Sequence, residues 1–213
     1  MLLACIITIV LAYLIGSINT SIIISKIKKN DIRTHGSGNA GATNMLRVMG
    51  KTAAIAVVAG DAIKAFLVSI LSGAIADYFG IPYPQNLVLK YLALIFVVVG
   101  HDFPVYFGFR GGKGIVTSVA VIFCVDWRLG IIVLGVGVIA IVLTRFVSLG
   151  SLIGCILFPL ACYIRYMDTP ISYETMVIIP ATILGILGII RHSNNIKKLM
   201  AGTERKIGEK SDK

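Results

Sequence analysis

The sequence predicts an all-α fold: a polytopic membrane helix bundle of seven transmembrane helices, with the N-terminus outside and the C-terminus cytoplasmic. The chain of 213 residues is 57% hydrophobic and only 14% charged, with a mean hydropathy of +0.91. A typical soluble domain carries about 25% charged residues. Apolar stretches of spanning length recur along the chain, and the basic residues gather in alternate loops. We expect a single integral membrane domain over residues 1–213.

Seven apolar segments are expected to be helices. The first begins beside Leu2-Leu3-Ala4-Cys5, which resembles a lipoprotein cleavage site, but only four residues precede the cysteine, so this segment is expected to remain and to span. The fourth would rise only about 17 Å against a hydrocarbon core of about 30 Å, so it either borrows loop residues or dips and returns. In order, the segments are about 3–25, 49–73, 87–103, 114–125, 129–146, 149–166 and 173–191.

The distribution of charge favours seven spans over six. A six-span alternative would fuse the fourth and fifth segments through Asp126-Trp127-Arg128 and would leave the seven basic residues of the tail outside. Seven spans instead place sixteen of the twenty Lys and Arg residues on the cytoplasmic side, as the positive-inside rule requires. The same cations attract anionic lipid headgroups, and this role is expected for Lys210 and Lys213. Charge alone therefore does not identify a substrate site.

The remaining composition predicts no cofactor. The four cysteines lie in or beside apolar stretches without a C-x-x-C pair, so they are expected to be small core residues rather than disulfide or metal ligands. The lipid bilayer is the expected surrounding, no nucleic acid partner is expected, and the sequence does not identify a protein partner. The cysteines are Cys5, Cys124, Cys155 and Cys162.

Three regions rich in glycine and basic residues interrupt the apolar sequence, at about 34–47 (the first loop), 100–117 (the second loop) and 191–206 (the third region). Proteins embedded in lipid expose polar backbone only where something polar is held. All three regions are expected at the cytoplasmic face. They predict a site for phosphate groups.

In the first loop, three glycines are expected to turn their N–H groups towards one centre. Ser37, Thr43 and Asn44 add short polar side chains. Thr43 or Asn44 can cap the following helix, whose first turn is expected to carry Arg47. A simple turn between two spans would need only one or two glycines. The candidate phosphate ligands here are Gly38, Asn39, Gly41, Thr43 and Asn44.

The second loop places Lys113 among three glycines, with Thr117 in the first turn of the helix that follows. Backbone donors can wrap phosphate oxygens while the ammonium group supplies charge. The loop is not a Walker A motif, because Lys113 is followed by Gly114 and no hydroxyl is available for magnesium. Nucleotide hydrolysis is therefore disfavoured. The candidate phosphate ligands here are Gly111, Gly112, Gly114 and Thr117.

Further polar residues are expected at the same membrane level. Arg191, His192 and Asn195 lie where the last helix meets the cytoplasm, and positions 191 and 195 would share a helix face. Arg145 and Ser148 occupy the remaining inner loop and can reach the same water, so both are candidate phosphate ligands.

Three acidic or basic residues have two interpretations. Asp61 and Lys64 interrupt an apolar helix, where charges are costly unless they pair or face a cavity. Their spacing allows a structural ion pair, and a role in shaping the site stays open. Glu204 is either a general base or a structural partner of Arg205, Lys206 or loop amides. The structural role is favoured, because a carboxylate among cations has a lowered pKa and is a poor base.

The chain resembles the bacterial acyl-phosphate-dependent glycerol-3-phosphate acyltransferases, a family of integral membrane proteins, and the resemblance runs essentially end to end. Lys198 stands where the family usually has arginine. The motifs that carry the resemblance are Ser37-Gly38-Asn39-x-Gly41-x-Thr43-Asn44-x-x-Arg47, Asp61-x-x-Lys64, Gly100-His101-x-Phe103-Pro104, Phe109-x-Gly111-Gly112-Lys113-Gly114 with Thr117, Arg191-His192-x-x-Asn195-Ile196 and Gly202-Thr203-Glu204-x-Lys206.

This resemblance implies transfer of a fatty acyl group from acyl phosphate to the 1-hydroxyl of glycerol 3-phosphate, giving lysophosphatidic acid and phosphate. It is the first acylation step of phospholipid synthesis, expected without a metal at the inner face of the bacterial cytoplasmic membrane. The expected mechanism is positioning plus charge neutralisation. Supporting roles are expected for Asp61, Lys64, His101 and Glu204, and catalytic roles for Ser37, Arg47, Lys113, His192 and Asn195.

Two other classes of function remain possible from the residues alone. An organic-anion transporter could use the same loops, although transporters usually bind substrate near the bilayer midplane in broken helices with internal repeats, and neither is clear here. A noncatalytic membrane subunit that binds anionic lipid is the third possibility.

Overall fold

The computed structural model describes residues 1–169 and 171–209, apart from the side chains of 171–175. Every regular element within these residues is helical, which confirms the all-α prediction at that level. Two short 3-10 turns, Ile32–Thr34 and Val105–Phe107, accompany the α-helices. The α-helices are α1 (Leu2–Gly16), α2 (Thr20–Ile27), α3 (Ala42–Met49), α4 (Lys51–Tyr78), α5 (Asn86–Asp102), α6 (Ile115–Val125), α7 (Trp127–Thr144), α8 (Val147–Tyr166), α9 (Ile171–Arg191) and α10 (Ser193–Met200).

Five helical stretches are long and apolar enough to cross a membrane, and a sixth results if α9 and α10 form one bent span. The chain is thus a polytopic helical membrane protein. The helix α6 has 11 residues and is shorter than a span, as expected. The five stretches are Leu2–Ile27, Lys51–Tyr78, Asn86–Phe107, Trp127–Thr144 and Val147–Tyr166. Seven crossings and the orientation of the termini stay predictions.

The fusion of α6 and α7 that a six-span arrangement required is wrong. Asp126 has extended backbone angles and its carboxylate accepts a hydrogen bond of 2.8 Å from the Arg128 amide, so it caps α7. An N-cap aspartate satisfies an amide at the helix start, where no backbone carbonyl is available. The chain therefore ends one helix at Val125 and begins the next at Trp127.

The chain divides into two compact units, Met1–Cys124 (unit 1) and Val125–Lys213 (unit 2). In unit 1, α1 and α5 approach closely at glycines, because a Cβ at Gly100 would strike the carbonyl oxygen of Tyr13. In unit 2, α7 and α8 meet in the same way, since a Cβ at Gly150 would strike the carbonyl oxygen of Gly137. Small residues let helices in a membrane pack through backbone contact.

The first span differs from its prediction because it is broken. Instead of one helix over 3–25, α1 ends at Gly16 and α2 begins at Thr20. The side chain of Asn19 accepts a hydrogen bond of 3.0 Å from the Ile22 amide, which caps α2. A buried N-cap amide at this position restarts the helix within an otherwise apolar run.

The short helix α3 also departs from the prediction. Gly50, with φ of +86°, separates α3 from α4, so Arg47 lies in the last turn of α3 and not in a first turn. Gly41 occupies the N-cap of α3 without a side-chain cap, so capping by Thr43 or Asn44 is wrong.

The third region bends where a continuous helix was expected. The chain bends by 57° between Met176–Arg191 and Ser193–Met200. His192 separates the two helices with non-helical backbone angles, so Arg191 and Asn195 do not share one helix face. Lys210 and Lys213 lie outside the described residues.

Candidate active site

The first loop is held in shape by the side chain of Asn44, which is 1% exposed. Its Oδ1 accepts a hydrogen bond of 2.9 Å from the Ser37 amide. Its Nδ2 donates to the carbonyl oxygens of Ile32, at 3.2 Å, and His35, at 3.0 Å. These bonds tie the loop to the first turn of α3. Asn44 is placed to organise the loop, with both ends of its amide used inside the protein.

The expected role of the first-loop glycines needs correction. Gly36 and Gly38 have φ of +62° and +72°, which glycine adopts without strain. The Gly38 amide donates to the His35 carbonyl and the Gly41 amide donates to the Asn39 carbonyl, each at 3.0 Å. Together with the Ser37 amide, these groups are used within the loop and do not turn to a common anion centre. The glycines shape the loop so that its side chains can be presented.

Asn44→Ala should destabilise the protein by about 1–3 kcal/mol, because it leaves the buried Ile32 carbonyl and the partly buried backbone groups of His35 and Ser37 without this partner. The change should also reduce acyl transfer, since Ser37 and Arg47 flank these bonds. Thermal unfolding in detergent and the rate measure the two effects. The control is Leu46→Ala, an exposed residue of the same helix, which should change stability by about 0.5 kcal/mol or less. Equal melting temperatures for wild type and Asn44→Ala would contradict the assignment.

The second loop closes back onto the end of α5. The Gly111 amide donates to the Asp102 carbonyl at 3.3 Å, and the Gly112 amide donates to the His101 carbonyl at 3.2 Å. A Cβ at Gly112 would lie 2.7 Å from the Ala40 carbonyl oxygen. Gly111 and Gly112 are therefore needed for close backbone approach, and their amides serve the loop itself. The phosphate-binding role expected for Gly111 and Gly112 stays a prediction.

The first and second loops are in contact within unit 1. Arg33 donates from Nη1 to the carbonyl oxygen of Phe107 at 3.0 Å, while its Nη2 pairs with Asp31 at 2.7 Å. Hydrogen bonding from Arg33 holds the pKa of Asp31 at about 2, so this pair stays ionised at neutral pH. Ala40 meets Gly112 on the same side. Arg33 joins the loop that precedes Arg47 to the loop that carries Lys113.

Arg33 is not among the site residues predicted from the sequence. It is one of six basic residues in the first inner loop, and the orientation of the protein already accounts for each of them. The signal that could have singled it out is Asp31, two residues earlier, because a carboxylate there can fix one edge of a guanidinium group.

The ion pair of Asp61 and Lys64 is confirmed. Lys64 Nζ lies 3.0 Å from Asp61 Oδ1, and both side chains are buried in α4. His101 joins them, with its Nδ1 at 2.7 Å from Lys64 Nζ.

The other predicted site residues of unit 1 lie in or beside the two loops and differ in how far they are buried. Ser37, Gly38 and Thr43 are exposed, while Asn39, Gly41, Arg47, Gly111 and Lys113 are half-buried. Gly112, Gly114 and Thr117 are buried, and Thr117 lies in the first turn of α6 as expected.

Unit 2 contains a second polar cluster, centred on Glu204. Its Oε1 accepts hydrogen bonds from Ser148 Oγ at 2.6 Å and from Asn195 Nδ2 at 2.7 Å. The expected partners Arg205, Lys206 and loop amides are wrong. One carboxylate oxygen thus joins α8, α10 and the segment after α10. Sequence spacing could not reveal this contact, because Ser148 and Glu204 are 56 positions apart.

Glu204→Gln should keep activity within about threefold of wild type, because an amide oxygen can accept the same two hydrogen bonds. Glu204→Ala should lower the melting temperature, since Ser148 and Asn195 lose their shared acceptor. Activity and thermal unfolding of the two variants in detergent test this structural role. A glutamine variant that folds normally but has no activity would instead identify Glu204 as a general base.

His192 is buried, with its Nδ1 at 2.8 Å from the Gly188 carbonyl oxygen. A carbonyl only accepts, so Nδ1 carries the proton and the neutral ring presents Nε2 as an acceptor. This tautomer suits a residue that orients a hydroxyl group.

Arg145 is hydrogen-bonded to the segment that follows α10. Its Nη2 donates to the Ile207 carbonyl oxygen at 3.2 Å, and its own carbonyl accepts from the Ile207 amide at 2.8 Å. Lys206 lies over the ring of Phe146, with Nζ 5.7 Å from the ring centroid. Arg145 therefore fastens this segment to the turn between α7 and α8. The segment carries Glu204, so these contacts also fix the polar cluster.

Comparison with known proteins identifies the family. The family model described as glycerol-3-phosphate acyltransferase matches residues 6–202. A glycerol-3-phosphate acyltransferase of Thermoanaerobacter sp. (strain X514) is 46% identical over 208 residues, covering 97% of this chain and 98% of the relative. One of Shouchella clausii (strain KSM-K16) is 41% identical over 213 residues, covering 99% of each.

Solved structures agree with this assignment. A crystal structure of PlsY (YgiH), an integral membrane glycerol 3-phosphate acyltransferase, in its glycerol 3-phosphate form is similar with a TM-score of 0.83 and 33% identity, covering 96% of each chain. The lysophosphatidic acid form of PlsY is similar with a TM-score of 0.81 and 32% identity, covering 96% of this chain and 95% of that one. The chain belongs to the glycerol-3-phosphate acyltransferase family.

Proposed function

We propose that this protein transfers a fatty acyl group from acyl phosphate to the 1-hydroxyl of glycerol 3-phosphate, releasing lysophosphatidic acid and phosphate. Membership of the acyltransferase family supports the reaction, and the related PlsY structures hold glycerol 3-phosphate and lysophosphatidic acid. The observation that carries the proposal is the contact of the first loop and the residue just before it with the second loop, made by Ala40 with Gly112 and by Arg33 with Phe107. The loops that bear Arg47 and Lys113 thereby lie side by side.

The proposed phosphate ligands are side chains more than loop amides. Three of the first-loop amides and two of the second-loop amides already donate within the protein. The charge of the two phosphate groups is therefore neutralised mainly by the side chains of Lys113 and Arg47. Ser37 and Thr43 are exposed and can add hydroxyl donors. The glycines and Asn44 give the loops their shape. Since Lys and Arg supply the positive charge, the proposed reaction needs no metal ion.

The proposed chemistry requires no nucleophilic side chain. The 1-hydroxyl oxygen attacks the acyl carbonyl carbon, the bond between that carbon and the phosphate oxygen breaks, and phosphate leaves. The hydroxyl proton passes to the departing phosphate. Ser37, Asn195 and the Nε2 of His192 orient the hydroxyl group or stabilise the oxyanion. Ser148 and Glu204 hold Asn195 in place.

The proposed membrane arrangement is multi-pass in a bacterial cytoplasmic membrane, with seven crossings, the N-terminus outside and the active site at the cytoplasmic face. The sixteen cations of the inner loops and tail support it, because the positive-inside rule places them in the cytoplasm. Single cysteines introduced at Ser37 and Tyr83 of a cysteine-free variant test this in intact cells. Only the cysteine at position 83 should react with a membrane-impermeant maleimide, and labelling at position 37 would contradict the orientation.

Purified protein in detergent tests the reaction. With acyl phosphate and glycerol 3-phosphate together, phosphate release should equal the lysophosphatidic acid formed, and omission of either substrate should abolish both. Trapping of an acyl group on Ser37 in place of direct transfer would overturn the mechanism. Transport of glycerol 3-phosphate into vesicles without product would instead indicate an organic-anion transporter. Binding of anionic lipid with neither activity would indicate a noncatalytic subunit.

A further inference from the structure

A buried ionic network lies in unit 1, between α4 and α5. Asp61 and Lys64 of α4 and His101 of α5 are 1%, 5% and 3% exposed. Lys64 Nζ lies 3.0 Å from Asp61 Oδ1 and 2.7 Å from His101 Nδ1. It also reaches the carbonyl oxygens of Gly16, at 3.3 Å, and Ile18, at 3.5 Å. These two carbonyls lie at the break between α1 and α2, where the helical hydrogen-bond ladder is interrupted.

The network orients the ring of His101. An ammonium group can only donate, so His101 Nδ1 is the acceptor of the 2.7 Å contact with Lys64. Asp61 Oδ1 is farther from the same nitrogen, at 3.5 Å, and balances the charge of Lys64. The neutral ring therefore carries its proton on Nε2. Lys64 thus determines which side of the imidazole is a donor.

The donor side of His101 faces the second loop. A Cβ added at Gly112 would strike His101 Nε2 and would also approach the Ala40 carbonyl oxygen. The Gly112 amide returns to the His101 carbonyl, so both the backbone and the ring of His101 contact the residue before Lys113. Ala40 belongs to the first loop. The Nε2 group therefore lies where the first loop meets the second.

The contacts of the Asp61–Lys64 ion pair do more than compensate charge. A buried ion pair that only filled space would stabilise the fold less than two apolar residues of similar volume, because both charges lose their hydration. Apolar residues could not bond to the carbonyls at the break after α1, and could not hold one tautomer of His101. The pair thus connects a helix break to a loop junction through directed hydrogen bonds.

We propose that Asp61, Lys64 and His101 are positioning residues of the phosphate site, in which Lys64 holds the Nε2–H of His101 towards the junction of Ala40 and Gly112 and so sets the direction in which Lys113 leaves the loop. The inference deepens the proposed function and rests on it, because its phosphate ligand is the one assigned to Lys113. It predicts that changes at His101 act on phosphate binding through the geometry of the loop.

Two substitutions at His101 separate positioning from simple packing. In His101→Asn, an amide oxygen near the Nδ1 position can still accept from Lys64, but nothing replaces the Nε2–H. In His101→Gln, the longer amide can place an N–H near the former Nε2. We expect His101→Asn to raise the Kd for glycerol 3-phosphate about tenfold, because no N–H then faces the junction of Ala40 and Gly112, and His101→Gln to recover most of this loss.

Calorimetric titration of the detergent-purified protein with glycerol 3-phosphate, without acyl phosphate, gives Kd independently of turnover. The steady-state KM for glycerol 3-phosphate should rise in parallel, while kcat should change by less than about threefold. The matched control is Ser72→Ala, a buried polar residue of α4 whose hydroxyl donates to Ser69 in the same helix. It should bind glycerol 3-phosphate as wild type does.

Equal Kd values for wild type and a folded His101→Asn variant would overturn the inference, and so would equal losses for Asn and Gln. Should His101→Asn fail to fold, the charge-neutral double variant Asp61→Asn/Lys64→Met decides, because it releases His101 and should likewise raise Kd. A wild-type protein that binds glycerol 3-phosphate but transfers no acyl group would refute the proposed reaction while the Kd comparison still decides the positioning role. Absence of binding by wild type would overturn the inference.

Discussion

Lys113→Met is expected to reduce acyl transfer at least about 100-fold, because it removes a fixed positive charge from the phosphate site. Methionine keeps the length of the side chain and its apolar stem, so packing changes little. Lys113 is half-buried at the end of the second loop, just after two glycines whose amides fasten the loop to α5. A charge on so constrained a backbone is positioned before substrate arrives. The measurement is the initial rate of phosphate release with both substrates at saturation.

Arg110→Gln is the matched control for this prediction. Arg110 is exposed and belongs to the same loop, so its substitution by glutamine removes the same unit of charge from the same region. If Lys113 acts by direct contact with phosphate, Arg110→Gln should retain activity within about threefold of wild type. A general attraction of anions to a basic surface would instead weaken both variants similarly and would weaken further with added salt. Similar losses in the two variants would therefore contradict a specific role for Lys113.

The membrane helices could be predicted because their signal is local. Each predicted apolar segment has a helical counterpart, and the short helix at Ile115–Val125 was evident from its length alone. The break after Gly16 could not be predicted from the local cap Asn19 alone, because a tertiary partner also takes part in it. Lys64, 48 positions away, takes up the carbonyl of Gly16. Gly50 likewise divides an expected single helix through a positive φ that composition does not reveal.

The candidate site was predictable in residue type but not in the use of each group. Glycines in a polar loop predicted amides free to hold phosphate, yet the Gly112 amide returns to His101 and the Gly38 amide returns to His35. Whether a loop amide faces inwards depends on where the neighbouring helix ends. Asn44 shows the same limit, since a polar side chain expected at the ligand instead binds the backbone of its own loop. The residue types in a loop indicate the candidate ligands, but the tertiary packing determines which of their atoms can bind the substrate.

His192→Ala is expected to lower kcat about 100-fold, in the range usual for loss of a residue that orients or exchanges a proton. The ring is buried, and its bond from Nδ1 to the Gly188 carbonyl leaves Nε2 as the acceptor in the neutral form. This group acts on the hydroxyl that attacks, so the loss should persist when both substrates are saturating. Alanine also leaves a small cavity beside α9, so the melting temperature must be measured together with kcat.

His35→Ala serves as the control for His192. The ring of His35 is exposed and makes only local contacts, with Thr34 Oγ1 at 2.9 Å and the Asp31 carbonyl at 3.1 Å. Its removal should change kcat by less than about threefold. A His192→Ala protein that melts as wild type does and turns over at the wild-type rate would exclude any part for this ring in the reaction. A low kcat with an unchanged melting temperature separates a chemical role from a structural one, because a cavity that merely loosened α9 would lower both quantities together.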